Sequence, residues 1–251
     1  MNFEEVIANR STKTVYKDNG RTIKLFVENY SKSAILNEAV NQARVEEGTD
    51  LYMPKLEAVT KINYRWALVS EHIEGTPLDK LMEENPEKED EYLELFVNTQ
   101  EEILKQRAPL LGRIHDKMRR KLNEATNIDD NTKYELLQRL EGIKTKNSVC
   151  HGDFNPSNVI VKENGEIFVI DWAHVTQGNP SFDAARTYLL FSMEGKEKTA
   201  KNYLDLFAQK LEIDKKEIQR CVPIVAASQM SKGKEEEQEF LSKWIEVIDF
   251  Q

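Results

Sequence analysis

The sequence predicts an α+β fold with a small antiparallel sheet and one helix near the N-terminus, followed by a larger, mainly helical part. Three observations lead to this prediction. Apolar residues alternate within the first seventy residues, helical periodicity dominates from residue 78 onward, and one hairpin pattern interrupts the helices at 159–170. With 39% hydrophobic and 31% charged residues, the 251-residue chain has enough apolar material for a core.

The N-terminal sheet is predicted from two strand pairs and a helix. Residues 13–27 alternate around Asn19-Gly20, a dipeptide that suits the positive backbone angles of a type I′ turn. Residues 32–46 place apolar side chains at helical spacing, with Gly48 as a stop signal. Residues 53–73 predict two further strands, with Pro54 at a sheet edge or strand entry.

Gly75-Thr76-Pro77 marks the change from strands to helices. It places the boundary between an N-terminal lobe, residues 1–73, and a C-terminal lobe, residues 74–251. Helices are predicted at 78–84, 89–120 with a break near Pro109, 129–142, 182–194, 197–210, 214–231 and 234–248.

The net charge of −9 lies in the later part of the chain. Residues 1–70 carry 10 basic and 9 acidic residues, and the remaining residues have a net charge of −10. Because unspecific nucleic-acid binding needs a basic surface, the composition argues against a nucleic-acid partner. The acidic stretches are either solvated helix faces or part of a site for a cationic small molecule.

The sequence lacks two patterns that would indicate where in the cell a protein is located. No stretch reaches the roughly 20 apolar residues of a membrane span, and the first ten residues do not resemble a signal peptide. We therefore expect a cytoplasmic protein without a membrane partner. Cys150 and Cys221 have no metal-ligand spacing and are expected to be reduced thiols.

Residues 159–170 predict a β-hairpin with a two-residue turn at Asn164-Gly165. In that register Ile160 faces Val169, and Asn158 faces Asp171 at about 5 Å between β-carbons. Asp153 lies five residues before Asn158, in a loop that suits a tight turn over the same end of the hairpin.

These three polar side chains suggest a magnesium site with an adjacent base. Mg²⁺ favours oxygen ligands and is usually bound by one or two carboxylates plus substrate phosphates. A further carboxylate that is not a ligand can orient a hydroxyl group and accept its proton. The alternative is that Asp153, Asn158 and Asp171 only cap turns.

The pattern H-G-D-x4-N at 151–158, followed by I-D-W at 170–172, resembles the active-site motif of the aminoglycoside phosphotransferase and choline kinase family. That family consists of small-molecule kinases with a bilobal, protein-kinase-like fold. Other stretches lie where the family would place them. They are Ile23-Lys24, Glu38, VSEHIEGTPL at 69–78, LLGRIH at 110–115 and GNPSFDAA at 178–185.

The resemblance implies a role for each matching residue. Lys24 would pair with the nucleotide phosphates and be held by Glu38, Asp153 would be the catalytic base, and Asn158 and Asp171 would hold Mg²⁺. His151 would brace the catalytic loop, and Asp183 would tie the loop down from a helix start. The hinge residues Ser70, Glu71, His72 and Ile73 would bind the base of ATP or GTP through main-chain groups.

The phosphate-covering loop of the family corresponds to residues 9–14, which contain no glycine. The hydroxyls of Ser11, Thr12 and Thr14 and the charge of Lys13 are candidates to replace the glycine backbone. The other interpretation of this stretch is a polar strand entry. Ala173 stands where many relatives have a second acidic residue.

The predicted reaction is transfer of the γ-phosphate of ATP or GTP to a hydroxyl of a small, cationic acceptor such as an aminoglycoside or amino alcohol. Trp172, Phe182 and Tyr188 are candidate aromatic neighbours of that acceptor, although core packing is the alternative for each. We expect a monomer or homodimer. A protein-kinase-like regulator and a non-catalytic nucleotide-binding protein are the other two classes.

Overall fold

The computed structural model describes residue 3 and residues 5–245. The chain forms two compact units. The first comprises the residues up to Glu89 together with Pro156–His174, and the second comprises Asp90–Asn155 and the residues from Val175 onward. Helix makes up 53% of the structure, and the predicted α+β class is confirmed.

A five-stranded antiparallel sheet forms the larger part of the first unit. Its order is β1-β2-β3-β5-β4. Asn19 and Gly20 connect β2 to β3 with φ of 51° and 73°, as the type I′ prediction requires. The strands are β1 (Glu5–Asn9), β2 (Lys13–Asp18), β3 (Arg21–Phe26), β4 (Leu56–Ile62) and β5 (Arg65–Glu71).

Helix α1 (Lys32–Gly48) packs against one face of this sheet. Its Ile35 and Ala39 share a buried cluster with Phe26 of β3 and Leu68 of β5. Ile23 and its alternate neighbours lie in a separate cluster, because successive strand residues point to opposite faces. Ser31 caps the helix by accepting a hydrogen bond from the Ala34 amide at 3.3 Å.

A second, three-stranded sheet completes the first unit. It has the order β6-β8-β9 and carries α2 (Leu78–Glu84) close to β6. Strand β6 pairs with β8. The stretches that carry them, residues 74–89 and 156–174, belong to the same compact unit as the N-terminal strands. A lobe boundary at residue 73 remains a prediction. The strands are β6 (Thr76–Pro77), β8 (Val159–Val161) and β9 (Ile167–Val169).

The predicted register of the β8–β9 hairpin is wrong by one residue. Ile160 pairs with Phe168 rather than Val169. The turn contains three residues, since the Lys162 amide donates to the Glu166 carbonyl at 2.9 Å and Gly165 has φ of 84°. A left-handed glycine at the end of a three-residue loop is a common hairpin connection. Asn158 therefore lies opposite Ile170, whose amide donates to the Asn158 carbonyl at 2.9 Å.

The second unit contains most of the helices and a short antiparallel pair, β7 (Ser148–Cys150) with β10 (Thr176–Gly178). The long predicted helix divides into α3 and α4, separated by residues 106–113 around Pro109. Predicted positions 246–248 of the last helix lie outside the described residues. The helices are α3 (Glu89–Lys105), α4 (Ile114–Glu124), α5 (Asp130–Glu141), α6 (Pro180–Met193), α7 (Glu197–Lys210), α8 (Lys215–Met230) and α9 (Glu235–Ile245).

Aromatic side chains form a large part of the second unit's core. Phe96 of α3 stacks on Phe154 with ring centroids 4.4 Å apart, and its ring also lies near Phe191 and Tyr203. All four residues are buried. Phe154 directly follows Asp153, so this packing fixes the chain next to the predicted base.

Both cysteines are buried free thiols, as predicted. Burial raises the pKa of Cys150 well above its ordinary value, which makes this thiol unreactive. None of the described helices has the length and apolar character that a membrane span requires.

Gly165 is expected to hold the β8–β9 turn in its three-residue form. No atom lies within 4 Å of a Cβ built there, so Gly165→Ala changes only the cost of the left-handed backbone. We expect the free energy of unfolding to fall by about 1 kcal/mol in denaturant titration. Gly112→Ala is the matched control, because it also has open space but no left-handed φ. An equal effect of the two substitutions would contradict this explanation.

Candidate active site

Lys24 occupies the centre of the polar cluster in the first unit. It pairs with Leu68 across β3 and β5, which puts it on the sheet face that α1 covers. Its amine donates to Glu38 Oε1 of α1 and to Asp171 Oδ1, both at 2.7 Å. The ion pair between Lys24 and Glu38 that the resemblance implies is therefore present.

The charge on Lys24 is stabilised by its two carboxylate partners. Burial alone would lower the pKa of this amine, but Asp171 and Glu38 outweigh that effect and hold the pKa above its ordinary value. Lys24 is therefore a permanent cation at physiological pH. Removing any one of the three groups would leave the others with an uncompensated charge, so the three groups stabilise each other.

Asp171 lies two residues beyond the last residue of β9, in a left-handed conformation with φ of 63°. The short helix Trp172–His174 follows directly, and the Trp172 indole donates to the Val169 carbonyl at 2.9 Å. Asn41 of α1 donates to the Ala173 carbonyl at 3.1 Å. A strained non-glycine backbone that its surroundings hold in place is typical of functional sites.

Asn158 and Asp171 offer oxygen atoms of the kind that Mg²⁺ prefers. Both lie in the same unit, and Asn158 is buried directly before β8. In the described part of the chain, no three His, Cys, Asp or Glu side chains converge as a metal site. This donor set suits a hard cation whose coordination is completed by substrate phosphates. The assignment of these two residues as metal ligands remains a prediction.

Lys13 brings a second amine to the same cluster, a placement that the motif alone does not reveal. At the start of β2, its amine lies 3.8 Å from both Glu38 and Asp171. Burial and the nearby charge of Lys24 lower its pKa, and the two carboxylates offset this only in part. The alternation of side chains along β2 could have indicated where the Lys13 side chain lies, because Lys13 is paired with Phe26 of β3.

Ser11 and Thr12 lie in the three-residue connection between β1 and β2, and both are exposed. The Val27 amide donates to the Thr12 carbonyl at 3.0 Å, and the Arg10 amide donates to the Lys13 carbonyl at 2.9 Å. These bonds fix the main chain and leave the two side chains at the surface. Their predicted role with phosphates stays a prediction.

The predicted hinge starts in β5 and continues beyond it. Ser70 and Glu71 are the last residues of the strand. The amides of Glu71 and His72 donate to Lys55 and Gly20, each at 2.9 Å, so neither is available to a nucleotide. Burial lowers the pKa of His72, whose ring also contacts the Thr22 hydroxyl at 2.9 Å. Base recognition would therefore fall to the other main-chain groups between Ser70 and Ile73.

The loop that carries Asp153 is anchored inside the second unit. The Gly152 amide donates to Asp183 Oδ1 of α6 at 2.6 Å, as predicted for Asp183. His151 is completely buried and accepts a hydrogen bond from the Asp153 amide at 3.3 Å. The Thr187 hydroxyl donates to the Phe154 carbonyl at 2.8 Å. These contacts support the bracing roles of His151 and Asp183.

A buried hydrogen-bond chain supports Asp183 in turn. Gln100 of α3 donates to Asp183 Oδ2 at 3.1 Å, and its carbonyl accepts from the Tyr203 hydroxyl at 2.6 Å. Burial raises the pKa of Tyr203 well above its ordinary value, so the phenol remains a donor. The Tyr203 bond fixes the orientation of the Gln100 amide, which must then donate to Asp183.

Asp153 has a direct cationic partner that the sequence motif did not indicate. Arg186 Nη2 donates to Asp153 Oδ1 at 2.9 Å. Arg186 lies one helical turn after Asp183 on α6, so i,i+3 spacing was the available signal. Lys117 of α4 and Lys232, just after α8, also act electrostatically on Asp153. Because these lysines come from distant segments, no local pattern could have found them.

The three candidate aromatic neighbours have different environments. Trp172 and Phe182 are buried and pack in the cores of their units, and the edge of Phe182 meets His115 with ring centroids 5.5 Å apart. Tyr188 is partly exposed and contacts Trp244 edge-on at 5.6 Å. Core packing accounts for the first two residues.

The phosphotransferase enzyme family model matches residues 37–215. The chain belongs to this phosphotransferase enzyme family. The matched range contains Glu38, Asp153, Asn158 and Asp171, whereas Lys13 and Lys24 precede it. The predicted family and the predicted class of enzyme, a phosphotransferase, are confirmed.

Solved structures of the same fold cover nearly the whole phosphotransferase chain. A thermostable mutant of aminoglycoside phosphotransferase APH(4)-Ia, in a ternary complex with ADP and hygromycin B, is 13% identical and matches with a TM-score of 0.70 over 96% of this chain and 90% of its own. APH(3'')-Id from Streptomyces rimosus is 17% identical, with a TM-score of 0.63 over 88% and 91%. LicA in complex with AMP is 13% identical, with a TM-score of 0.61 over 96% and 90%. Comparison with curated proteins gave no significant match.

Asp183→Asn is expected to destabilise the loop that carries Asp153 in this phosphotransferase. Both carboxylate oxygens accept from donors, so the asparagine must turn its NH₂ toward either Gly152 or Gln100. We expect the free energy of unfolding to fall by about 1.5–3 kcal/mol in denaturant titration. Asp205→Asn is the control, because Asp205 makes a surface ion pair with Lys215. Equal stability of the two variants would contradict the anchoring role.

Proposed function

We propose that this phosphotransferase moves the γ-phosphate of ATP or GTP to a hydroxyl group of a small molecule. The observation that carries the proposal is the partly buried Lys24 amine, held by Glu38 and by Asp171, the predicted metal ligand. Family membership supports phosphate transfer. Neighbours of the same fold were crystallised with ADP or AMP-PNP, which supports a nucleotide donor.

Two lysines in the first unit would bind the nucleotide phosphates. Lys24 is a fixed cation, and Lys13 adds a second amine close to the same carboxylates. Charge-assisted hydrogen bonds to phosphate are strong, and each lysine ammonium has three donors. Lys13 would thus supply by charge what a glycine-rich loop supplies by backbone amides. The exposed hydroxyls of Ser11 and Thr12 would add further donors.

Magnesium is the cofactor that this donor set suits. Asn158 and Asp171 would hold it, and when bound it would neutralise charge on the outer phosphates of the nucleotide. The base of the nucleotide would contact main-chain groups between Ser70 and Ile73. Because main-chain groups need not distinguish adenine from guanine, we propose ATP and GTP as alternative donors. A nucleotide donor also accords with the cytoplasmic location that the sequence predicts.

Asp153 would orient the acceptor hydroxyl and accept its proton. Phosphoryl transfer has a loose transition state, so most of the catalysis comes from positioning the reacting groups and neutralising charge. Arg186 donates to Asp153 Oδ1 at 2.9 Å, a contact that would hold the carboxylate in a defined orientation toward the hydroxyl. The proton would leave the hydroxyl as its oxygen bonds to the γ-phosphorus and the nucleoside diphosphate departs.

The acceptor class is open within this proposal. The net acidity of the later part of the chain predicts a cationic acceptor such as an aminoglycoside or amino alcohol. The solved neighbour with hygromycin B is compatible with that class. Either oligomeric state, a monomer or a homodimer, is compatible with this proposal.

Lys13→Met should weaken nucleotide binding. It removes one of the two amines while keeping the length of the side chain, and we expect Kd for Mg-ATP to rise about tenfold, equivalent to about 1.4 kcal/mol. Isothermal titration calorimetry measures this change. Lys17→Met is the control on the same strand, because Lys17 pairs with the exposed Glu74 instead. If the two variants bind Mg-ATP equally well, Lys13 has no role with phosphate.

Asp153→Asn should abolish transfer but preserve nucleotide binding. General-base catalysis contributes about 10²–10⁴-fold, so we expect kcat to fall by at least about a hundredfold. The assay is magnesium-dependent release of ADP or GDP with aminoglycosides, amino alcohols, homoserine, sugars and their acidic derivatives as acceptors. Asp116→Asn, on the exposed face of α4, controls for the loss of a carboxylate.

The outcomes separate the three functional classes. Stimulation by one acceptor class that Asp153→Asn abolishes supports the small-molecule kinase. Normal turnover by Asp153→Asn removes Asp153 from the mechanism. Nucleotide binding without turnover of any acceptor favours a regulatory or non-catalytic protein, and absence of nucleotide binding overturns the proposed function.

A further inference from the structure

One cationic side chain pairs with Asp153 in the second unit, and two others interact with it electrostatically. Arg186 comes from α6, Lys117 from α4, and Lys232 from the turn that follows α8. Helix α8 packs against both α4 and α6, which brings these segments together. The Lys232 amide donates to the Gln229 carbonyl at 3.0 Å, so the turn is a defined structure. We call these three residues the basic triad.

Arg186 is the most buried member of the basic triad, with 9% of its surface exposed. Its Nη2 donates to Asp153, whereas its Nη1 is buried without a hydrogen-bond partner among the described residues. An unsatisfied buried donor costs about 1–3 kcal/mol. A guanidinium group that bears this cost beside a predicted catalytic carboxylate is suited to a ligand with oxygen acceptors.

The two lysines of the basic triad are in surroundings that disfavour further positive charge. Burial, then the charges of Lys232 and Arg186, lower the pKa of Lys117 to about 8, and Asp153 and Asp183 offset this only in part. Burial and Arg186 also lower the pKa of Lys232. Part of the Lys232 side chain is exposed, so solvent moderates the shift.

Among these charged groups the cations outweigh the carboxylates at Lys117, although the chain as a whole is acidic. Lys232 and Arg186 lower the pKa of Lys117 by more than Asp153 and Asp183 raise it. Asp183 already accepts two hydrogen bonds. Near Lys232, Lys234 and Glu237 form an ion pair of 2.7 Å, and Glu237 raises the pKa of Lys232 by more than Lys234 lowers it. A cationic acceptor would add a fourth positive charge, whereas an anionic one would neutralise the excess.

We propose that the acceptor carries an anionic group, a carboxylate or a phosphate ester, which the basic triad binds beside Asp153. This inference rests on the proposed function, because it names the class of molecule whose hydroxyl is phosphorylated. It replaces the cationic acceptor that the net charge predicts. The charges that act on a bound molecule are those within a few ångströms, since solvent and salt screen the more distant acidic surface.

The first test compares acceptors that share a short hydroxylated skeleton but differ in charge. Ethanolamine and choline are the cationic members, glycerol and erythritol the neutral ones, and glycerate and glycerol phosphate the anionic ones. We expect kcat/KM for an anionic member to exceed that of every cationic and neutral member by at least about tenfold. A cationic or neutral compound as the best acceptor would overturn the inference.

The second test removes single charges of the basic triad. Lys232 lies in an exposed turn, so the Lys232→Met variant should fold normally. The Lys117→Met variant tests the more buried lysine. We expect each to raise KM for the anionic acceptor about tenfold, with the KM for nucleotide as internal reference. Lys210→Met is the control, because Lys210 pairs with Glu94 on the surface. An unchanged acceptor KM in both test variants would refute the assignment.

A binding measurement keeps the inference testable without a known acceptor. Sulfate, as a mimic of a phosphate ester, and acetate, as a carboxylate, are titrated into protein saturated with Mg-AMP-PNP. We expect Lys232→Met, but not Lys210→Met, to weaken the preferred anion. Wild-type affinity should fall between about pH 7 and pH 9 as Lys117 loses its proton, because its charged form predominates only below its pKa. Equal or absent anion binding in wild type and Lys232→Met would overturn the inference.

The two proposals fail in different ways. If nucleotide binds but no acceptor of any charge is phosphorylated, the proposed function fails, while anion binding that depends on Lys232 still supports the anion site. If a cationic acceptor is phosphorylated and the lysine variants have no effect, the proposed function stands and the anionic acceptor is wrong.

Discussion

The first unit depends on one partly buried cation, the amine of Lys24, which is held by carboxylates from two different elements. Glu38 comes from α1 and Asp171 from the segment after β9. Without Lys24, two carboxylates would lie close together in a poorly solvated place, and their repulsion would favour separation of these elements. The same interaction therefore organises the first unit and, in the proposed function, holds a positive charge in place for the nucleotide phosphates.

Local patterns predicted most of the secondary structure. The Asn19-Gly20 turn and the described helices lie close to their predicted positions because backbone preference and periodicity act over a few residues. The β8–β9 register was wrong because Asn164-Gly165 fits either a two-residue or a three-residue loop. The structure has the longer loop, in which Asn164 Oδ1 accepts from the Glu166 amide at 3.1 Å. A dipeptide alone does not settle that choice.

The candidate site was predictable where a motif is continuous in sequence and unpredictable where it is assembled by tertiary packing. His151, Asp153, Asn158 and Asp171 lie within about twenty residues of each other, so their spacing carried the information. Lys117 and Lys232 belong to a helix and a turn that are distant in sequence. Lys13 was a candidate from its position, but its proximity to Glu38 and Asp171 depends on tertiary packing. Total charge was a poor guide to the surroundings of Asp153, because a sum over surface residues contains no distances.

The place of Lys232 in the fold has a consequence for how such an enzyme could diversify. The residue lies in the turn between α8 and α9, where the neighbouring Gly233, with φ of 72°, reverses the chain. A side chain at this position can be exchanged without repacking a core. Duplicated copies could therefore acquire a preference for differently charged substrates through drift in one surface turn, while selection preserves the phosphate-transfer machinery unchanged.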